Sequence, residues 1–321
     1  MDAFFSADLA PFMPYILLAL GLAMMIVSGN LLVTGGVQLA RHFKISTFIV
    51  GLTIVAFSTS APEVFISVGS ALSGAHDIAL GNVIGSNIAN ISFIFAVAVL
   101  VFPVPVRDKA VLFDLSVMFL VTLLLFIFGL NGLISRIEGL FLMAILVSYT
   151  VVAIAKSRKK LSGEKIPEPT IKPALAALMI AAAIAGLYFA SDWFVEGARG
   201  VALQWGVSER VIAISIVAVG TSMPELISSI IAGLKKETDI SIGTIIGSNI
   251  MNVTGVLGLA AVVRPLNITS LALFRIDMLW LFGISAALLL AMLPFSKGIV
   301  SRAEGAGLLA LFSVYMFVLF T

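Results

Sequence analysis

The stretch FSTSAPEVFIS, Phe57 to Ser67, sets Glu63 directly behind a proline and among hydroxyls, inside a run from Phe48 to Val68 that is otherwise almost wholly apolar or small. An acid there is costly if the run crosses a bilayer, and the composition of the whole chain implies that it does. Of 321 residues, 60% are hydrophobic and only 11% charged, with a mean hydropathy of +1.16. No soluble domain covers its surface with so few charges, so the chain reads as an integral membrane protein.

A spanning helix needs about 20 mostly apolar residues. Ten segments qualify, near 12–40, 46–73, 77–103, 111–129, 133–156, 173–204, 208–234, 239–264, 271–294 and 300–320. They are too long and too uniformly apolar for barrel strands, which predicts an all-α integral membrane protein with ten transmembrane helices. Cysteine is absent, excluding disulfides and thiolate chemistry. The net charge is only +2 and the basic residues are scattered through short loops, leaving no nucleic-acid surface. The opening MDAFFSADLAPFMPY lacks the basic run of a cleaved signal peptide.

Lysine and arginine orient the chain. If the helices alternate, one side receives Arg41, Lys44, Arg107, Lys109, Lys156, Arg158, Lys159, Lys160, Lys165, Lys172, Lys235, Lys236, Lys297 and Arg302. The other receives Arg136, Arg199, Arg210, Arg264 and Arg275, with both termini. The positive-inside rule makes the first side cytoplasmic, which predicts a multi-pass protein of the cell (inner) membrane with both termini extracytoplasmic. The polar stretch KSRKKLSGEKIPEPTIK, 156–172, reads as a solvated cytoplasmic linker between five-helix halves at 1–155 and 173–321.

The halves are copies. A shift of 162 positions aligns STFIVGLTIVAFSTSAPEVFIS (Ser46 to Ser67) with SERVIAISIVAVGTSMPELISS (Ser208 to Ser229), and DIALGNVIGSNIAN (Asp77 to Asn90) with DISIGTIIGSNIMN (Asp239 to Asn252). SRIEG at 135–139 recurs as SRAEG at 301–305. Because five is odd, the second copy enters the membrane from the opposite side, which predicts inverted-topology repeats and a site near the midplane. Such symmetry suits alternating access.

The closest matches between the halves are largely not core-formers: Thr59, Ser60, Pro62 and Glu63 with Thr221, Ser222, Pro224 and Glu225, and Gly85, Ser86, Asn87 and Asn90 with Gly247, Ser248, Asn249 and Asn252. An acid at the centre of a spanning helix costs about 2.5–3.5 kcal/mol even on lenient scales, so two of them imply a function. Each proline removes the N–H owed to a carbonyl one turn back, turning carbonyls toward a cavity. Thr59 and Glu63, and Ser86 and Asn90, are four apart and share helix faces, as do their counterparts. Carboxylates, carbonyls, hydroxyls and amides are hard oxygen donors that suit calcium or sodium rather than zinc or copper. His42 and His76 fall in loops, where solvation is expected, and do not compete.

The pairing of TSAPE and TSMPE with GNVIGSNIAN and GTIIGSNIMN resembles the α-repeats of the calcium/cation antiporter superfamily, and most closely its prokaryotic sodium/calcium exchanger branch. The specific match covers residues 46–90 and 208–252. The resemblance implies ten helices in two inverted five-helix repeats, and exchange of calcium for sodium with no enzymatic activity and no resident cofactor. It implies that Glu63 and Glu225 bind calcium with the backbone carbonyls of Thr59 and Thr221. Sodium would use these glutamates with Ala56, Ser60 and Ser86 from one half and Ala218, Ser222 and Ser248 from the other, and Asn90 and Asn252 would complete the centre. Two positions depart from the pattern: Ser58 stands where the family has glycine, and Asn252 stands where the archaeal pattern has aspartate, leaving two central carboxylates instead of three.

In the proposed mechanism, calcium neutralises a pair of glutamates that several sodium ions or protons can neutralise instead, and only the loaded protein switches. A proton/calcium antiporter or a potassium-dependent exchanger would use the same site, and ion dependence separates them. An intramembrane aspartyl protease also buries two carboxylates, but it needs close aspartates and a route for a peptide. The long, glycine-bearing SGNLLVTGG (Ser28 to Gly36) and SDWFVEGAR (Ser191 to Arg199) suit either sliding helices or close packing. Asp77 and Asp239 read as first-turn helix acids, and Asp114 and Asp277 as peripheral pairing residues. A monomer is expected to suffice in the lipid bilayer, since both halves of the site lie on one chain.

Overall fold

A computed structural model describes residues 10–105, 110–161, 167–207, 218–269, 271–292 and 299–320. Arg107, Lys109, Lys165, Arg210 and Lys297, used above for orientation, lie outside the described residues, as do Ser208 to Val217 at the start of the second motif and the side chain of Ala218.

The first helix, α1 (Met13–Phe43), ends where Lys44 turns left-handed at φ 53°. Ser46 caps α2 (Thr47–Thr59), its side-chain oxygen accepting from the Ile49 N–H. At Ser60 this helix gives way to α3 (Ala61–Ser73), bent from it by 48°. The single span predicted over 46–73 is therefore broken. Pro62 lies in the first turn of the new helix, where its missing N–H has no partner to lose, so the proline starts a helix instead of kinking one. Gly74 ends α3 at φ 86°, a conformation that glycine takes without strain.

Next come α4 (His76–Val101), α5 (Ala110–Gly129) and α6 (Arg136–Lys160), then α7 (Pro173–Gln204), α8 (Ala218–Thr221), α9 (Met223–Leu234), α10 (Thr238–Val263), α11 (Leu271–Met292) and α12 (Arg302–Phe320). Among the described residues eight helices are long and apolar enough to cross a membrane, or nine if the bent α2–α3 pair is one span. Of the predicted segment 208–234, only α8 and α9 are described. The molecule is an all-helical membrane protein. Among the described residues three helices also contain π-helical turns, at Gly51–Val55, Asn90–Ile94 and Asn252–Leu257, a local widening often found at functional sites.

The most enclosed long helices are α4 and α10. Glycines bring α10 against α2: a Cβ at Gly243 or Gly247 would lie 2.3 Å from the carbonyl oxygen of Phe48 or Leu52. Glycines also join α1 to α7, where Gly197 meets Leu18, Gly21 meets Ala190 and Gly35 meets Ala176, so the two run antiparallel in close contact. Short antiparallel pairs link distant loops: β1 (Val104–Pro105) with β4 (Ile299–Val300), and β2 (Leu133–Ile134) with β3 (Leu266–Asn267). The recurring SRIEG and SRAEG are helix caps. The Ser135 N–H donates to Glu138 Oε2 at 2.7 Å and the Ser301 N–H to Glu304 Oε2 at 2.6 Å. Their arginines cap helix ends in turn, Arg136 on the carbonyl of Val263 and Arg302 on those of Leu100 and Val101.

Two expectations need correction. The linker is not wholly solvated: Thr170 and Ile171 donate their N–H groups to Gln38 Oε1 at 2.9 and 3.3 Å, because N–H groups outside a helix seek acceptors and a buried glutamine offers one. The histidines are not loop residues. His42 lies in the last turn of α1 with Nε2 2.7 Å from the Ile171 carbonyl, while His76 opens α4, buried, its Nδ1 accepting from the Asn267 N–H at 3.1 Å. Asp77 and Asp239 do lie in first helical turns, and Asp77 takes both the N–H and the hydroxyl of Thr269. Asp114 accepts from Tyr149 Oη at 2.7 Å, and Asp277 is faced by Tyr315.

Candidate functional site

The break at Ser60 puts a new helix start in the protein interior, and the turn at Ser222 repeats it. Glu63 and Glu225 occupy the first turns of α3 and α9, where free N–H groups favour negative charge. Both glutamates are 0% exposed, and Thr59, Ser60, Thr221 and Ser222 beside them are buried too. From the enclosed helices come Ser86, Asn87 and Asn90 of α4 and Ser248, Asn249 and Asn252 of α10, again all buried.

Each acid is approached by hydroxyls from both sequence halves. Glu225 Oε1 accepts from Ser60 Oγ at 3.3 Å and Ser248 Oγ at 3.5 Å, and Thr59 Oγ1 lies 3.5 Å from Ser248 Oγ. Ser222 and Ser86 approach Glu63 in the matching way, yet among the described residues neither carboxylate oxygen of Glu63 has a hydrogen bond of good geometry. Glu225 Oε2 has none either. The two carboxylates are near enough to repel one another. Among the described residues no third acidic, histidine or cysteine side chain joins them.

The asparagines form a bridge between α4 and α10. Asn252 Nδ2 donates to Asn87 Oδ1 at 3.1 Å, and Asn87 Nδ2 donates to the Asn249 carbonyl at 3.2 Å. Asn90 and Asn252 each begin a π-helical turn, and neither Nδ2 nor Oδ1 of Asn90, nor Oδ1 of Asn252, has a partner among the described residues. Of the predicted side chains, Thr59, Ser60 and Ser248 meet at Glu225 and Ser86 and Ser222 approach Glu63, whereas Asn252 bonds Asn87, and Thr221 and Asn90 are buried. The Ala56 carbonyl is already engaged, accepting from Thr59 Oγ1 at 3.2 Å and the Ser60 N–H at 3.0 Å. Of Ala218 only the backbone is described, within α8.

Sequence reasoning assigned no role to Asn87 and Asn249, although their repetition was visible, and passed over Asn82, which donates to the Glu63 carbonyl at 3.3 Å. The only signal for Asn82 was its place one helical turn before Ser86.

The family described as "Sodium/calcium exchanger protein" matches residues 13–155 and 175–321. The inner membrane protein YrbG of Escherichia coli is 35% identical over 268 residues, covering 81% of this chain and 82% of that one. The sodium/calcium exchanger MaX1 of Methanosarcina acetivorans is 27% identical over 349 residues, covering 95% and 98%. The solved sodium/calcium exchanger of Methanococcus jannaschii superposes with a TM-score of 0.82 at 26% identity, over 95% of this chain and 98% of that one. This chain belongs to the sodium/calcium exchanger family, and with it to the membrane antiporters of calcium and other cations rather than to the enzymes.

Proposed function

We propose that this protein exchanges calcium for sodium across a cell's inner membrane by alternating access, with Glu63 and Glu225 as one shared binding site. What carries the reading is the condition of these two acids. Both are wholly buried and adjacent, and among the described residues three of their four carboxylate oxygens lack a donor. A buried charge without a partner is strongly unfavourable, so the pair is built to receive positive charge. One calcium ion cancels two carboxylates, and two sodium ions do the same.

The surrounding donors fit either load. Hydroxyls of Thr59, Ser60, Ser86, Thr221, Ser222 and Ser248, amides of Asn90 and Asn252, and carbonyls at Thr59, Ala218 and Thr221 would replace the water that a hard cation leaves behind, and the Ala56 carbonyl would join them by giving up its bonds to Thr59 Oγ1 and the Ser60 N–H. Because the empty dianion is costly to enclose, loaded protein switches between its two openings and empty protein does not. That restriction couples the movement of one ion to the other.

Ten helices in two inverted repeats, 1–155 and 173–321, joined by a cytoplasmic linker at 156–172, is the architecture this mechanism needs. The cross-contacts support it. Exchanging the halves converts the β1–β4 pair into the β3–β2 pair, and the Arg136–Val263 contact into Arg302–Val101. The lysine and arginine pattern supports termini outside and linker inside, the name of YrbG supports the inner membrane, and one chain holding both acids supports a functional monomer. Sodium is favoured over protons by the names of the two archaeal exchangers and by Asn252, whose amide donates to Asn87 where an acid would titrate.

Calcium-45 uptake into liposomes, driven by an outward sodium gradient or by an outward proton gradient, tests the coupling. Uptake with sodium alone is expected. Uptake with protons alone overturns sodium coupling, and no uptake under either gradient overturns the cation assignment.

A further inference from the structure

Hydroxyls approach both carboxylates, and Glu63 has in addition a grip on its backbone. Glu225 is gripped at its carboxylate by Ser60 and Ser248. Glu63 is gripped through its backbone: Asn82 Nδ2 donates to the Glu63 carbonyl at 3.3 Å and to Ser67 Oγ at 2.9 Å. Glu63 and Ser67 are one helical turn apart, so a single amide from α4 clamps the first turn of α3 from the side. Both carboxylate oxygens of Glu63 stay without a donor among the described residues.

Among the described residues no such clamp occurs at the matching place in the other half. The counterpart of Asn82 is Thr244, whose hydroxyl bonds back to the Ile240 carbonyl at 2.8 Å. The counterpart of Ser67 is Ser229, buried and without a partner among the described residues. An amide nitrogen has two hydrogens and can serve two acceptors at once, whereas the single hydrogen of Thr244 is already engaged with its own helix.

We infer that Asn82 is a positioning residue for calcium: by fixing the Glu63 backbone against α4 it sets where the Glu63 carboxylate stands, without using up either oxygen that the ion needs. The inference rests on the reading of Glu63 and Glu225 as ligands. Calcium gathers several oxygens at once, at about 2.3–2.6 Å, so a ligand whose backbone drifts weakens binding more than it slows an already loaded protein.

The test is sodium-driven calcium-45 uptake by the wild type, Asn82→Thr and Ser67→Ala, with Glu63→Gln as the blank and a gel-filtration peak as the check on folding. Asn82→Thr installs the residue that the other half carries. Its calcium KM is expected to rise about fivefold, the factor one ordinary hydrogen bond is worth, with kcat held within about twofold. Ser67→Ala keeps the bond from Asn82 to the Glu63 carbonyl, so both of its parameters are expected within about twofold of wild type. An unmoved KM in Asn82→Thr, an equal rise in both variants, or a joint fall of kcat and folded yield would overturn the inference. If the wild type takes up no calcium, or Glu63→Gln takes it up normally, the reading of the site fails instead.

Discussion

Ser60, at the break before α3, donates its hydroxyl to Oε1 of Glu225, 3.3 Å away in space and 165 residues on in the chain. Neither sequence half makes this cluster alone, because each acid is approached by hydroxyls from both halves. Ser60→Ala should therefore weaken calcium binding although it leaves both acids in place. Losing one hydrogen bond to a charged acceptor predicts a KM higher by about tenfold, measured in reconstituted uptake with the amount of folded protein unchanged.

A ligand that relieves two buried charges should stabilise the protein. Calcium at 100 times its Kd is expected to add about 2.7 kcal/mol, seen as a higher Tm in detergent, and chelation should reverse the gain. Glu225→Gln should lose this calcium-dependent shift. An equal shift in that variant would place the stabilising ion elsewhere.

Close approach of α10 to α2 predicts two opposite glycine substitutions. Gly247→Ala would drive a methyl group to 2.3 Å from the Leu52 carbonyl oxygen, so a loss of about 1–3 kcal/mol or more is expected in denaturation. Gly307 of α12 is exposed and has nothing near its absent Cβ among the described residues. Gly307→Ala is expected to be neutral or to stabilise by up to about 1 kcal/mol, through helix propensity alone.

The Asp114–Tyr149 hydrogen bond joins α5 to α6. Tyr149→Phe should lower the Tm, with a cost of about 1 kcal/mol, while the calcium KM stays at its wild-type value. A raised KM at unchanged stability would instead give this pair a part in transport.

The glutamates were legible in the sequence because an acid duplicated within apolar helices has few explanations. Ser60, Ser86 and their counterparts were legible because repetition marked them. Asn82 was hidden for the same reason, since its counterpart is Thr244 and a search guided by symmetry passes over a place where symmetry fails. The π-helical turns at Asn90 and Asn252 carry no residue signature; they arise from packing, which no local pattern reports. Pro62 announced a break but not its form, because proline suits a helix start as readily as a kink. His76 looked like a loop residue until the Asn267 N–H, distant in sequence, arrived to meet its ring.

The most direct test of the central claim is calcium-45 uptake under an outward sodium gradient, with wild type, Glu63→Gln and Glu225→Gln reconstituted side by side. Wild type should accumulate calcium, and each single variant should fall to the level of empty liposomes, because one remaining carboxylate cannot balance a divalent ion in a buried site. Wild-type rates in either variant would contradict a site built on both glutamates.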